Sequence, residues 1–259
     1  MAKKVAEQLV DTLIEAGVRR IYAVTGDSLN EVNEAVRQNE AMKWIHVRHE
    51  ETGAYAAGAE AQLTGLPGCC AGSSGPGHVH LINGLYDAHR SGAPVIAIAS
   101  TIPTGEFGTE YFQETNTVKL FNDCSFYNEV ATTPEQFPRM LQSALQTATT
   151  RKGVTVVGLP GDLAKKPAVK VESSEQIYPL ASSVCPAEED LIRLAGMLNH
   201  YERITLFCGI GCKGAHEEII RMSETLNAPV AYTFKGKMEV QYDNPYEVGM
   251  TGLLGMPSG

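Results

Sequence analysis

The sequence is short of several things, and each shortage excludes a class of protein. Lys and Arg form no cluster: 21 basic residues stand against 30 acidic ones, the net charge is −9 and the isoelectric point is near 5.3. A nucleic-acid partner calls for a basic face, so none is expected. No apolar run approaches the ~20 residues of a spanning helix, and Met1–Lys4 leads straight into an amphipathic pattern without a secretory leader. These absences predict a soluble cytoplasmic protein with no transmembrane segment, leaving peripheral membrane association of a full-length protein open. The six cysteines, Cys69, Cys70, Cys124, Cys185, Cys208 and Cys212, show no paired C-x-x-C spacing. Buried free thiols are expected, and Cys208 with Cys212 is too weak a pair to imply a metal site. His49, His78, His80 and His89 match no zinc spacing either, so no metal ligand is assigned and structural or substrate-side roles are expected.

The 259 residues, 43% of them hydrophobic, exceed what one domain usually needs, at about 100–200 residues each. Residues 3–16 place Val5, Leu9, Leu13 and Ile14 on one helical face, with Gly17 where a C-terminal cap belongs. Ile21–Val24 reads as a short strand closed by Thr25-Gly26-Asp27-Ser28, with Asp27 or Ser28 able to cap the next helix. Lys43–Val47 is the next strand, Glu51–Leu63 its helix, and the cycle repeats with Cys69–Gly72 and His78–Arg90. The apolar runs Pro94–Ser100 and Val154–Leu159 are of the kind buried on both faces of a parallel sheet, and Pro134–Thr150 is helical between them. The segment from Ile102 to Glu114 reads as a surface loop. Alternation of strands and helices predicts a doubly wound α/β domain over residues 1–180, with a linker from Lys165 to Leu180.

Residues 181–259 read as the beginning of a second, Rossmann-like domain. It carries a helix at 187–199, the strand Ile204–Cys208, the turn Gly209-Ile210-Gly211, a helix at 215–226 and the strand Pro229–Tyr232. The G-x-G lacks the third glycine of a dinucleotide fingerprint, and is a weak sign by itself. Too few strands follow to finish a sheet, so a truncated larger chain is expected.

Two strand-to-helix turns carry the candidate chemistry. In Val47-Arg48-His49-Glu50-Glu51-Thr52-Gly53, Glu50 sits where an extended run becomes an alanine-rich helix, a place where the helix dipole favours a carboxylate in any protein. In Ala71-Gly72-Ser73-Ser74-Gly75-Pro76-Gly77-His78, glycines let a ligand approach the backbone.

Arg48-His49-Glu50-Glu51, Ser74-Gly75-Pro76-Gly77, Tyr111-Phe112-Gln113-Glu114 and Leu159-Pro160-Gly161-Asp162 stand in the order and spacing of thiamine-diphosphate-dependent 2-oxo-acid enzymes, which the whole chain resembles. Val24–Asn30 and the closing Gly249–Gly255 look most like the flavin-linked pyruvate oxidases and quinone-linked pyruvate dehydrogenases, and Thr25 stands where acetolactate synthases usually have Pro. The resemblance implies a pyrimidine-binding domain followed by part of an FAD-binding middle domain, and oxidative decarboxylation of pyruvate or another small 2-oxo acid. The runners-up are an acetolactate-synthase-like carboligase and a non-catalytic binding or regulatory fragment. It implies that Glu50 exchanges a proton with N1′ of the cofactor's aminopyrimidine from a dry pocket. Gly26 and Ser73, Gly75, Pro76 and Gly77 would lie at the pyrimidine, and Phe112 and Gln113 would reach an active site shared between subunits of a homodimer or homotetramer. For FAD it implies Gly209, Gly211, Lys235, Thr251, Gly252, Leu253 and Leu254. The family holds the diphosphate through Mg²⁺ on a C-terminal domain bearing Gly-Asp-Gly, a motif this sequence lacks, so the chain by itself is expected to be inactive.

Overall fold

A computed structural model describes residues 3–169 and 185–258. The chain divides into two compact units, Met1–Ser182 and Ser183–Gly259.

The first unit runs α1 (Val5–Glu15), β1 (Arg20–Ala23), α2 (Asn30–Arg37), β2 (Lys43–His46), α3 (Glu50–Thr64), β3 (Gly68–Gly72), α4 (Pro76–Arg90) and β4 (Val95–Thr101). It continues with α5 (Thr117–Leu120), β5 (Tyr127–Val130), α6 (Phe137–Arg151), β6 (Val154–Pro160) and α7 (Gly161–Ala164). Its six strands are all parallel, in the order β2-β1-β3-β4-β6-β5. Successive side chains of a strand point to opposite faces, and the sequence supplies apolar residues for both. Ile96 and Ile98 of β4 join the core under α1, α2 and α6. Val95, Ala97 and Ala99 join the core under α3 and α4. That is the doubly wound α/β architecture the apolar runs predict.

The helices end as their residues dictate. Gly17 (φ 93°) follows α1, and Gly65 (φ 73°) closes α3 in the left-handed region that glycine enters without strain. α3 and α4 cross on small residues. A Cβ at Gly84 would stand 2.6 Å from Ala54 Cβ and 2.8 Å from the Glu51 carbonyl oxygen. This close approach brings residues at the starts of the two helices within reach of each other.

Two expectations are corrected, and two strands stand where none was assigned. Neither Asp27 nor Ser28 caps α2 by a side-chain bond; the chain makes a 3-10 turn at Asp27–Leu29 and α2 starts after Leu29. The Ser28 hydroxyl instead accepts from Ser74 N at 3.2 Å. The region between Glu114 and Pro134 contains the edge strand β5, whose Asn128 and Glu129 hide it from an apolar-run reading. The presumed linker begins as structure: Val5 N donates to Lys166 O (3.0 Å), Ala168 N to Lys3 O (2.7 Å) and the Gln8 amide to Val169 O (3.1 Å). The remainder of that linker, and the boundary near 180, lie outside the described residues.

The second unit contains α8 (Glu188–His200), β7 (Leu206–Cys208), α9 (His216–Leu226), β8 (Val230–Tyr232), α10 (Lys237–Val240) and β9 (Glu247–Met250). Its parallel sheet has the order β7-β8-β9. The second strand that the sequence reading did not assign is β9; Gly249 and a register shift beside Val230 and Ala231 disguise it. Cys208, Val230, Tyr232 and Val240 form its buried core. α8 has an apolar pattern, yet Leu191, Ile192, Leu194 and Met197 are exposed. No described helix is long and apolar enough to cross a membrane.

Candidate functional site

In an open parallel sheet, ligands bind at the carboxyl ends of the strands, where the winding direction reverses. Here β2 lies on one side of β1 and β3 on the other, so the reversal falls between β1 and β3. The two turns singled out in the sequence meet at that place. Gly26 follows β1 and Ser73 follows β3, and a Cβ at Gly26 would stand 2.5 Å from Ser73 Cβ. A Cβ at Gly77 would stand 3.1 Å from Ser73 Oγ and 3.3 Å from Glu50 Oε1. Gly26, Ser73, Gly77 and Glu50 therefore form one continuous wall. Any side chain in place of either glycine would fill it.

Glu50 is the first residue of α3 and is only 8% exposed. Its Oε2 lies 2.9 Å from Nδ1 of His80, which comes from the second turn of α4. His49, immediately before α3, stacks on His80 with ring centroids 4.2 Å apart. Glu51 points elsewhere, accepting from the Asn83 amide at 2.6 Å. Pro76 occupies the first position of α4, where its missing N–H costs nothing. Gly75 (φ 72°) makes the preceding turn.

The loop carrying Phe112 and Gln113 is held to this wall. A Cβ at Gly75 would stand 2.8 Å from Gln113 Cβ, so the Gln113 backbone (φ 64°) lies directly on the turn. Phe112 is 77% exposed and belongs to none of the buried clusters. Asp162 accepts from Thr104 N (3.0 Å) and Thr104 Oγ1 (2.8 Å), which fixes one root of the loop to the start of α7. His78 fixes the other. It is fully buried, with Nε2 2.9 Å from Ser100 O and Nδ1 2.8 Å from Thr115 Oγ1. A carbonyl oxygen only accepts, so Nε2 carries the proton and Nδ1 accepts from the threonine hydroxyl. Burial pushes the His78 pKa down to about 4, which keeps the ring neutral.

Sequence reasoning passed over Ser100 and Thr115, read Ser28 only as a cap and named Ser74 only as part of the glycine turn. The Ser100 hydroxyl donates to Ser28 O and contacts Leu159 O, so the 3-10 turn after β1 and the ends of β4 and β6 are joined there. Ser74 and Thr115 also line a cavity of about 280 Å³ with Thr101, Thr117, Thr132 and Phe107. Glu50 lies outside that lining. Only the doubled Ser73-Ser74 in a glycine turn hinted at this hydroxyl cluster.

The flavin candidates lie in the second unit, after the carboxyl ends of its strands. Gly209 and Gly211 follow β7, Lys235 follows β8, and Thr251–Leu254 follow β9. Gly209 to Gly211 does not open an α-helix; the turn is 3-10, and α9 starts only at His216 with Glu217 and Glu218 in its first turn. Two carboxylates at a helix start disfavour a phosphate there. Thr251 N donates to Tyr232 O at 2.9 Å, Gly252 has φ 114°, and the side chains of Leu253 and Leu254 are exposed.

Comparison with known proteins accords with this geometry. The family description "Thiamine pyrophosphate enzyme, N-terminal TPP binding domain" matches residues 3–120, and "Thiamine pyrophosphate enzyme, central domain" matches residues 191–259. An uncharacterized 42.6 kDa protein in the isoamylase 3′ region of Pseudomonas amyloderamosa is 50% identical over 257 residues, covering 99% of this chain and 65% of that protein. A pyruvate oxidase of Lactiplantibacillus plantarum is 36% identical over 224 residues, covering 85% and 37% respectively. An acetolactate synthase of Arabidopsis thaliana is 29% identical over 259 residues, covering 98% and 38%. The chain thus spans less than two thirds of the length of these relatives. The two matched domains together take in most of the chain, which belongs to the thiamine pyrophosphate enzyme superfamily.

Proposed function

We propose that this chain supplies the pyrimidine side of a thiamine diphosphate site in an enzyme that oxidatively decarboxylates pyruvate or another small 2-oxo acid. The observation that carries the reading is Glu50: a nearly buried carboxylate whose Oε1 faces a glycine-lined wall at the winding reversal of the sheet. Such a wall suits a flat heterocycle, and the carboxylate suits a ring nitrogen that must gain and lose a proton. When bound, thiamine diphosphate supplies a nucleophilic carbon and an electron sink for decarboxylation. Glu50 would hold the proton at N1′, while Gly26, Ser73, Gly75, Pro76 and Gly77 shape the wall. Gln113, lying on Gly75, would position the exposed Phe112 toward substrate or toward a second subunit.

The diphosphate and its Mg²⁺ would be held by residues outside these 259, since the sequence has no Gly-Asp-Gly. FAD would use Lys235 and the backbone of Thr251–Leu254 more than the Gly209–Gly211 turn, which lacks the helix start that a pyrophosphate favours. Val24–Asn30 and Gly249–Gly255 support the oxidative branch over carboligation. Homo-oligomerisation and a cytoplasmic location complete the reading.

The enzyme containing this chain, given pyruvate without oxygen, is expected to bleach its flavin absorbance and release acetate or acetyl phosphate. Accumulation of acetolactate with the flavin still oxidised would replace the oxidase reading with carboligation. Failure to bind either cofactor would leave a binding or regulatory module.

A further inference from the structure

The start of α3 and the second turn of α4 bring together more than one carboxylate needs. One ligand atom from each of His49, Glu50 and His80 lies within 4.8 Å of the other two. Among the described residues no other group of three such side chains converges in this way. We propose that these three residues form a binding site for a divalent transition-metal ion of the zinc–copper class, with two imidazole nitrogens and one carboxylate oxygen as ligands.

The donor set fits that class. Two imidazoles and a carboxylate suit zinc or copper, whereas magnesium and calcium take oxygen ligands. The distances fit as well. Zn–N and Zn–O bonds of about 2.0–2.2 Å put tetrahedral ligand atoms roughly 3.4 Å apart, and His80 Nδ1 already stands 2.9 Å from Glu50 Oε2. The remaining adjustment falls on His49 and His80, whose side chains are 46% and 40% exposed and have room to turn, while the buried Glu50 stays fixed. The stacked rings, 26° from coplanar, allow both to present an edge to the same point. Water can take the fourth position, since Glu51 accepts from the Asn83 amide and lies outside the converging group. His78 is unsuited to such a role because both its ring nitrogens are already bonded.

Spacing along the sequence concealed the site. His49 and Glu50 are adjacent, but His80 is thirty residues further on and arrives only through the close crossing of α3 and α4. The site rests on no step of the proposed reaction and shares only Glu50 with it. An ion held there would engage the carboxylate that the pyrimidine needs, and so would oppose cofactor activation.

Metal-free chain titrated with Co²⁺ tests the site, because Co²⁺ reports its ligands through visible absorption and Zn²⁺ can then displace it. One saturable Co²⁺ per chain with a nitrogen- and oxygen-ligand spectrum, displaced by Zn²⁺ and indifferent to Mg²⁺, is the expected result. His49→Asn and His80→Asn should each weaken binding at least about tenfold, comparable to losing part of a metal site, and the double variant should abolish it. Asn is a good residue at a helix N-cap, so His49→Asn should preserve α3. Glu50→Gln should weaken binding similarly, and circular dichroism of each variant checks that it folds. No saturable binding, unchanged affinity in both histidine variants, or thiolate charge-transfer bands lost in Cys212→Ser would overturn the proposal. Intact Co²⁺ binding together with an inert Glu50 in cofactor exchange would leave this site standing while refuting the carboxylate's proposed catalytic role.

Discussion

The two units apply the same βα grammar with different thoroughness. In the first, six parallel strands are covered on both faces, and 0% exposure is common among the core residues of both layers. In the second, three strands enclose a core of Cys208, Val230, Tyr232 and Val240, and the apolar side of α8 stands open. The difference shows at the sites. Glu50, Gly26, Ser73 and Gly77 are fixed against one another by packed helices and strands, whereas the flavin candidates Leu253 and Leu254 project from a chain end of the sheet. A positioned carboxylate needs a rigid surround, because protein interiors transmit displacement rather than absorb it.

Core truncation should break this symmetry most visibly. Leu85→Ala, in the fully buried layer under α3 and α4, should cost roughly 2–5 kcal/mol. Val230→Ala in the small core of the second unit should cost roughly 1–3 kcal/mol. Urea denaturation followed by amide exchange checks both, and a larger loss from Val230→Ala would reverse the ranking.

A smaller effect should appear with pH. The unfolded-state pKa of His78 is near its ordinary 6.5, and burial lowers the folded value to about 4. Its neutral form therefore stabilises the first unit fully above pH 6.5, and that stability is lost as pH falls from 6.5 through 4. The loss should reach up to about 3 kcal/mol. Denaturation midpoints between pH 7 and pH 4 should fall more steeply in the wild type than in His78→Gln; parallel slopes would deny that His78 is held neutral.

The smallest effect should come from α8. Leu191→Ala on its exposed face should change stability by no more than about 0.5 kcal/mol. A loss of several times that in thermal unfolding would mean that this face is covered in solution.

Legibility in the sequence followed burial within each sheet rather than the division into units. β4 and β6 were readable because strands buried on both faces are continuous apolar runs, Val95–Thr101 and Val154–Pro160. β5 and β9 were not, because four-residue edge strands carrying Asn128 and Glu129, or Gly249, lack both the length and the apolarity that mark a strand. Glu50 stood out only with the second glycine turn and the set of motifs beside it, because a carboxylate at a helix start is by itself what the helix dipole favours in any protein. His80 did not, since its partnership with Glu50 depends on how closely two helices cross, and that closeness resides in Gly84 and Ala54 rather than near either residue. Ser28 was misread as a cap for a similar reason: its hydroxyl is used across the sheet by Ser74, a partner that only the strand order supplies.

The central claim is that the buried carboxylate of Glu50 exchanges a proton with the pyrimidine of thiamine diphosphate. Its direct measurement is hydrogen–deuterium exchange at the cofactor's C2 in the enzyme that contains this chain together with a diphosphate-binding domain, comparing wild type with Glu50→Gln. The substitution keeps the size of the side chain and removes its ability to pass a proton, so exchange should fall by about 10²–10⁴-fold, the usual contribution of a positioned acid–base group, while the fold is retained. Exchange at the wild-type rate in a folded Glu50→Gln enzyme would contradict the claim.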